Sequence, residues 1–325
     1  MKFDRIFEVS TEAEFLSLSL EVFAYQFKNS PVYRTFCEYL GKNPACVRRI
    51  EDIPFLPIEL FKTKEIKTRT SADEVCFKSS GTTGSQVSKH YVADPQIYRN
   101  SFIKGFHKFY GPISDYCLLA LLPSYLERQD SSLIYMVRDL IEQSGHPKSG
   151  FYLDDYELLA RTLKELDKQG TPVLLIGVSF ALFDLADRYP MSLVNTIVME
   201  TGGMKGRRKE MIRNELHDHL KKSWGLREIH SEYGMTEMLS QAYARRSGIF
   251  YSPSWMRVLI RDPEDPLQIL DTENTGGINV IDLANLYSCS FIATQDLGKL
   301  YPDGGFEVLG RFDHSDVRGC NLMLI

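Results

Sequence analysis

Six consecutive residues, Ser79-Ser80-Gly81-Thr82-Thr83-Gly84, carry four hydroxyls and two glycines, with Lys78 before them and Lys89 shortly after. Glycine lets the backbone approach an anion and aim several N–H groups at it, and Ser and Thr hydroxyls donate further hydrogen bonds. Such a loop suits the phosphates of ATP, although the same composition also describes a flexible connector. The spacing from Gly81 does not supply G-x-x-x-x-G-K-[ST], which sets aside a P-loop NTPase. Four later stretches group reactive side chains tightly: Glu200-Thr201-Gly202-Gly203-Met204, Ser231-Glu232-Tyr233-Gly234-Met235-Thr236-Glu237, Thr294-Gln295-Asp296-Leu297-Gly298 and Gly310-Arg311-Phe312-Asp313. Each alone reads as an ordinary turn, and its charged members as solvated surface groups. His90 and His230 sit near these stretches, where packing explains them equally well. His217 and His219 stand at a helical spacing that points them to different faces, which argues against a metal pair.

The elements that must position these groups can be read from periodicity. Glu74-Val75-Cys76-Phe77 and Lys89-His90-Tyr91-Val92 read as strands, which makes the glycine-rich loop the turn of a long hairpin. Thr11 with Glu14 resembles a capping box, and Phe15, Leu18, Val22 and Phe23 follow at helical spacing. Prolines 54 and 57 force an extended segment, and Asp94-Pro95 opens a helix running to about Tyr110. Strands over Tyr116–Leu122, Val173–Ile176, Thr196–Met199 and Arg227–His230 then alternate with helices over Ser131–Gln143, Tyr156–Lys168, 179–188 and 207–223, the last ending at Gly225. That alternation predicts an α/β fold with helices packed on a sheet. From Trp255 the pattern changes to strands with turn signals at Asp262-Pro263, Thr275-Gly276-Gly277 and Asp303-Gly304-Gly305. One large domain over 1–312 is expected, with a helical region at 1–72, an α/β core carrying the ATP loop at 73–250 and a β-rich subdomain at 251–312; residues 313–325 form a short tail.

The chain has 325 residues, 43% hydrophobic and 25% charged, which is ordinary for a globular protein with a sizeable core. A net charge of -5 gives no basic face for nucleic acid. Acidic residues interrupt the N-terminus where a signal peptide needs an apolar run, and no stretch approaches membrane-spanning length, so a cytoplasmic location is expected. Six scattered cysteines lack CxxC pairs and read mostly as buried thiols, Cys76 and Cys289 among them.

Taken in order, SSGTTG, a GG pair, YGxTE, T-x-D-x-G and GRxD resemble the adenylate-forming superfamily of acyl- and aryl-CoA ligases, adenylation domains and luciferases, over roughly residues 75 to 321. The length and the ending Arg318-Gly319-Cys320-Asn321 look most like the LuxE-type acyl-protein synthetases, which activate fatty acids in the bacterial luciferase reductase complex; phenylacetate-CoA ligases are the next relatives. The resemblance implies that Ser79 to Gly84 wrap the β- and γ-phosphates, with Lys89 as cation for the leaving pyrophosphate. The family places its basic residue nearer the glycine. Gly202 and Gly203 are implied against the adenine, with Tyr233 as a stacking face beside Gly234. Thr236 is implied on the α-phosphate, Glu237 on Mg²⁺, Asp296 on the ribose hydroxyls and Arg311 on the ribose or α-phosphate. Gln295 stands where the family usually has glycine. The implied acyl pocket involves Gly177 to Leu182.

The implied reaction is ATP-dependent activation of a carboxylic acid, a fatty acid by resemblance, to an acyl adenylate and transfer of the acyl group to a thiol. In acyl-protein synthetases a cysteine near the C-terminus takes the acyl group, and Cys320 holds a comparable place, with Arg318 near enough in sequence to lower its pKa. The bland reading makes Cys320 a small apolar residue beside Leu322, Met323 and Leu324. The chain ends shortly after Arg311, where the family's mobile C-terminal domain and its lysine would follow, so that lysine is expected to have no counterpart. Implied partners are the carboxylic acid and an acyl-CoA-reductase-like or acyl-carrier protein. Two alternatives stand beside this reading: a short acyl- or aryl-CoA ligase, and a non-catalytic nucleotide- or acyl-binding subunit.

Overall fold

Every residue of Cys117–Leu121 and of Val173–Val178 is buried, which requires a sheet covered on both faces. The computed structural model, which describes residues 3–68, 75–80, 86–123, 130–202 and 212–312, supplies that cover. In chain order its elements are α1 (Glu12–Asn29), α2 (Pro31–Tyr39), β1 (Leu56–Pro57), α3 (Leu60–Thr63), β2 (Val75–Lys78), β3 (Lys89–Val92), α4 (Pro95–Tyr110), β4 (Cys117–Leu121), α5 (Ser132–Ser144), β5 (Gly150–Phe151), α6 (Tyr156–Lys168), β6 (Val173–Val178), α7 (Ser179–Arg188), β7 (Thr196–Thr201) and α8 (Arg213–Trp224). The remainder is strand: β8 (His230–Tyr233), β9 (Ala242–Ala244), β10 (Phe250–Tyr251), β11 (Met256–Arg261), β12 (Ile269–Leu270), β13 (Thr275–Asp282), β14 (Phe291–Leu300) and β15 (Phe306–Arg311).

Strands β5, β4, β6, β7 and β8 lie side by side and parallel, and from β8 the sheet continues antiparallel through β9, β10, β15, β14, β13, β11 and β12. The expected α/β core is therefore continuous with the β-rich part through one sheet. β2 and β3 form the expected hairpin as a separate pair, Lys78 opposite Lys89. Thr11 and Glu14 make the capping box, and Asp94 caps α4 ahead of Pro95. The extended segment at Leu56–Pro57 adds parallel to β14. Gln26 of α1 ties this region to the loop after β13, donating to the carbonyls of Asn285 and Leu286 and accepting from Ser290 N.

Three expectations are corrected. The strand expected at Arg227–His230 begins at His230, because Gly225 closes α8 in the left-handed conformation and pairing with β7 starts only at Met199 opposite His230. Thr275-Gly276-Gly277 opens β13 and is not a turn. A Cβ at Gly276 would stand 2.2 Å from the Arg261 carbonyl oxygen, and one at Gly277 would stand 2.4 Å from its Cζ, so the glycines admit the Arg261 backbone and side chain. Likewise Thr294 to Gly298 lies inside β14, with an irregularity in its pairing at Leu297/Gly298. Among the cysteines Cys37, Cys117 and Cys289 are buried, Cys76 is half-buried and Cys46 exposed. No helix of the described residues is long and apolar enough to cross a membrane.

Candidate active site

In an open parallel sheet ligands settle beyond the carboxyl ends of the strands. Here β7 ends on Thr201-Gly202 and β8 on Tyr233-Gly234, side by side. Gly202 adopts φ +72°, a conformation that favours glycine, and its carbonyl accepts from Ser179 Oγ at 2.7 Å. Glu200 is buried and accepts from Arg213 Nε at 3.0 Å. Burial pushes its carboxyl up, but His217, Arg213 and Ser231 outweigh that and hold it below the ordinary value. Arg213 also donates from Nη1 to the Val308 carbonyl at 3.0 Å, linking the Gly202 turn to β15.

Across that link, Asp296 of β14 faces Arg311 of β15 in register. The Asp296 carboxylate is 5% exposed and accepts from Tyr233 Oη at 2.9 Å and from Arg311 Nε at 3.2 Å. Burial raises its pKa against the opposing pull of Arg311 and Tyr233. Two residues, one from β8 and one from β15, thus converge on one carboxylate. Tyr233 corrects the expectation of an open stacking face. Its ring is 7% exposed and packs against Phe250 and Phe306, so its hydroxyl holds Asp296 in place. Gln295, the unusual residue before Asp296, donates to Glu59 Oε1 at 2.6 Å and anchors β14 to the start of α3.

The Thr236-Glu237 turn is held by backbone contacts. His90 Nδ1 lies 2.8 Å from the Thr236 carbonyl, Asn285 Nδ2 donates to the Glu237 carbonyl at 2.7 Å, and His90 Nε2 lies 2.9 Å from Asn285 Oδ1. Just beyond, Asp282 accepts from Leu239 N, Ser240 N and Ser240 Oγ. His90 therefore joins the hairpin carrying the glycine-rich loop to the turn carrying Thr236 and Glu237. Burial lowers the His90 pKa to about 4, so the neutral ring donates to one of the two acceptors, the Thr236 carbonyl or Asn285 Oδ1, and His90→Ala leaves that one unmet and opens a cavity. It is expected to lower stability by about 3 kcal/mol, roughly 1–3 kcal/mol for the unmet group and the rest for the lost packing, read as a lower urea midpoint at unchanged m-value.

At the hairpin neck Ser79 N donates to the Ser88 carbonyl and Ser88 N to Ser79 Oγ, so Ser79 closes the neck, with Ser80 next to it. Lys89 is exposed at the same level as Lys78, which pairs with Asp130. Gly81, Thr82, Thr83, Gly84, Gly203 and Cys320 lie outside the described residues. Gly234 is exposed, and Thr236 half-buried. The stretch Gly177–Leu182 turns from β6 into α7 and is buried except for the half-buried Phe180. His217 is buried beside Glu200 while His219 stacks on Phe183, facing apart as expected. A concavity of about 690 Å³ between β5 and α6, lined in part by Lys148, Arg161 and Glu165, shares none of the site residues.

Sequence reasoning did not find Asp282, Asn285, Arg213 or the work of His90. One signal was present: Asp282 and Asn285 interrupt an apolar run from Ile278 to Leu286, and polar groups buried in such a run need partners.

Comparison with known proteins gives the family and the fold. The family model described as acyl-protein synthetase, LuxE, matches residues 7–325. The long-chain-fatty-acid–luciferin-component ligase of Aliivibrio fischeri is 22% identical over 94% of this chain and 86% of its own length, and that of Vibrio harveyi is 22% identical over 93% and 85%. Among solved structures, a 2-hydroxyisobutyryl-CoA ligase in the postadenylation state superposes with a TM-score of 0.65 at 14% identity, covering 93% of this chain and 68% of that one. ATP-bound MatB from Rhodopseudomonas palustris gives 0.56 at 16% identity over 75% of this chain. The chain spans 49% of the length of MatB. These structural likenesses show the fold.

Proposed function

This chain belongs to the LuxE acyl-protein synthetase family, and on that premise we propose that it is an ATP-dependent ligase that converts a long-chain fatty acid to its acyl adenylate and passes the acyl group to a protein thiol. The observation that carries the reading is the convergence of Tyr233, Asp296 and Arg311 beside the Thr236-Glu237 turn. A carboxylate is a poor acyl donor because its leaving group is oxide. Attack of its oxygen on the α-phosphorus of ATP makes a mixed anhydride and expels pyrophosphate, and no general base is needed. The protein's task is to bring two anions together and stabilise the charge on the phosphoryl group.

In this assignment the backbone and hydroxyls of Ser79 to Gly84 hold the β- and γ-phosphates, with Lys89 countering the departing pyrophosphate. Gly202 and Gly203 give the adenine a bare backbone surface. Asp296 accepts from the ribose hydroxyls, and Arg311, two-thirds exposed, is free to turn from Asp296 toward the ribose or α-phosphate. Thr236 donates to the α-phosphate. Glu237, a hard oxygen donor on the same turn, fits Mg²⁺, which takes one or two carboxylates and completes its shell with phosphate and water. Bound there, the ion supplies Lewis-acid charge at the phosphates. Cys320 is the acceptor thiol, and an acyl-CoA-reductase-like or acyl-carrier protein is the onward partner.

Radiolabelled palmitate and ATP are expected to leave label on the denatured protein in a hydroxylamine-labile bond, and Cys320→Ser to abolish it. Label that appears on added coenzyme A, with none on the protein, would replace this reading by that of a short acyl-CoA ligase.

A further inference from the structure

The second half-reaction differs from the first in one respect: a thiol attacking the acyl adenylate must give up a proton. Most polar groups of the site are already committed. Asp296 accepts from Tyr233 and Arg311, and Glu200 accepts from Arg213. His90 is fully buried between Thr236 and Asn285.

Glu232 is different. It stands opposite Thr201 at the carboxyl ends of β7 and β8, one residue before Tyr233 and two before the exposed Gly234. Its side chain is half-buried, and Thr201 Oγ1 donates to Oε2. Oε1 folds over Gly234, 2.5 Å from where a Cβ would be, a place that only glycine leaves open. Among the described residues no donor reaches Oε1. Gln241, 5% exposed, packs its Cγ against the same glycine, and its buried Oε1 has no hydrogen-bond partner among the described residues.

We propose that Glu232 is the general base of acyl transfer, taking the proton of the attacking thiol at Oε1 where the crevice opens beside Gly234. The proposal rests on the adenylate-forming reading above. In this step the sulfur–carbon bond forms and the carbonyl carbon–oxygen bond to the phosphate breaks. AMP leaves with the electron pair, and the thiol proton ends on Glu232. Burial raises the Glu232 carboxyl to about 7, Thr201 opposing and the neighbouring Glu200 adding to the rise. The other ionisable groups around it are Tyr98 and Tyr110 of α4 and Tyr243 of β9, all themselves held neutral by burial. A base with that pKa is matched to proton transfer near neutral pH, and such bases contribute about 10²–10⁴-fold.

The test supplies synthetic palmitoyl adenylate to the full chain and follows AMP release with pantetheine as the thiol, while pyrophosphate–ATP exchange is measured separately. Glu232→Gln keeps the shape and the Thr201 contact. It is expected to slow AMP release about 100-fold, to leave exchange within about twofold, and to move the rise of the rate with pH from near 7 upward toward the free thiol's own higher value. Glu232→Asp is expected to recover part of the rate. Unchanged AMP release in Glu232→Gln, an unmoved pH profile, or exchange falling in parallel with release would overturn the proposal. Absence of exchange in the wild type would count against adenylation itself, and the palmitoyl adenylate assay would still judge Glu232.

Discussion

Asp296→Ala is expected to lower kcat/KM for ATP in fatty-acid-dependent pyrophosphate release by about 10²–10⁴-fold. In the proposed assignment two ribose hydroxyls donate to the Asp296 carboxylate, two charge-assisted hydrogen bonds worth about 1.5–3 kcal/mol each, and a loss of about 3–6 kcal/mol corresponds to that range in rate. The folded protein should tolerate the change. Burial raises the Asp296 pKa, so the cost of holding its carboxylate there offsets the pull of Tyr233 and the largely exposed Arg311. A melting temperature within a few degrees of wild type is therefore the companion result. Asp296→Asn separates shape from charge: it keeps one acceptor and is expected to fall between the two. If Asp296→Ala bound and turned over ATP within about threefold of wild type, the ribose would have to lie elsewhere.

Asp282→Ala is expected to act on the fold first. The Asp282 carboxylate is fully buried and accepts from Leu239 N at 2.7 Å, Ser240 N at 2.9 Å, Ser240 Oγ at 2.6 Å and Ala284 N at 3.2 Å. Ser240 Oγ in turn lies within reach of Trp255 Nε1 and Ser101 Oγ, so the carboxylate sits at the root of a network spanning α4, the residue before β11 and the loop after Glu237. Removing it strands several buried donors at about 1–3 kcal/mol each; with partial relaxation the net cost is about 4 kcal/mol. At about 2–4 °C per kcal/mol the melting temperature should fall by about 8–16 °C. Because Leu239 and Ser240 follow Thr236-Glu237 directly, KM for ATP should also rise at temperatures where the variant is still folded. A drop of under 2 °C would mean that the network does not bear on stability.

These two residues also show what could be read from the chain and what could not. Asp296 was legible because it belongs to an ordered set of motifs, and so was the helix from Pro95 to Tyr110, whose cap, proline and periodicity agree. Asp282 belongs to no motif. Its partners Leu239 and Ser240 lie more than forty positions away, and nothing in local spacing reveals a contact made by two chain segments folding together. Tyr233 was read as a stacking face, whereas its ring is packed against Phe250 and Phe306 and its hydroxyl reaches Asp296, because an aromatic's identity does not say which of the two is buried. Gly276 and Gly277 read as a turn for a related reason. Glycine serves turns and close approaches alike, and only the position of Arg261 decides between them. The start of β8 was misplaced because strand ends are set by pairing partners, here the last three residues of β7.

The central claim is that the crevice at the ends of β7, β8, β14 and β15 joins a carboxylic acid to AMP. Exchange of labelled pyrophosphate into ATP, run with a panel of fatty and aromatic acids on wild type and Asp296→Ala, tests it most directly. The account predicts exchange that requires a long-chain fatty acid and disappears in the variant. Measurable ATP binding with no exchange for any acid would contradict it and leave a nucleotide-binding protein that does not form an adenylate.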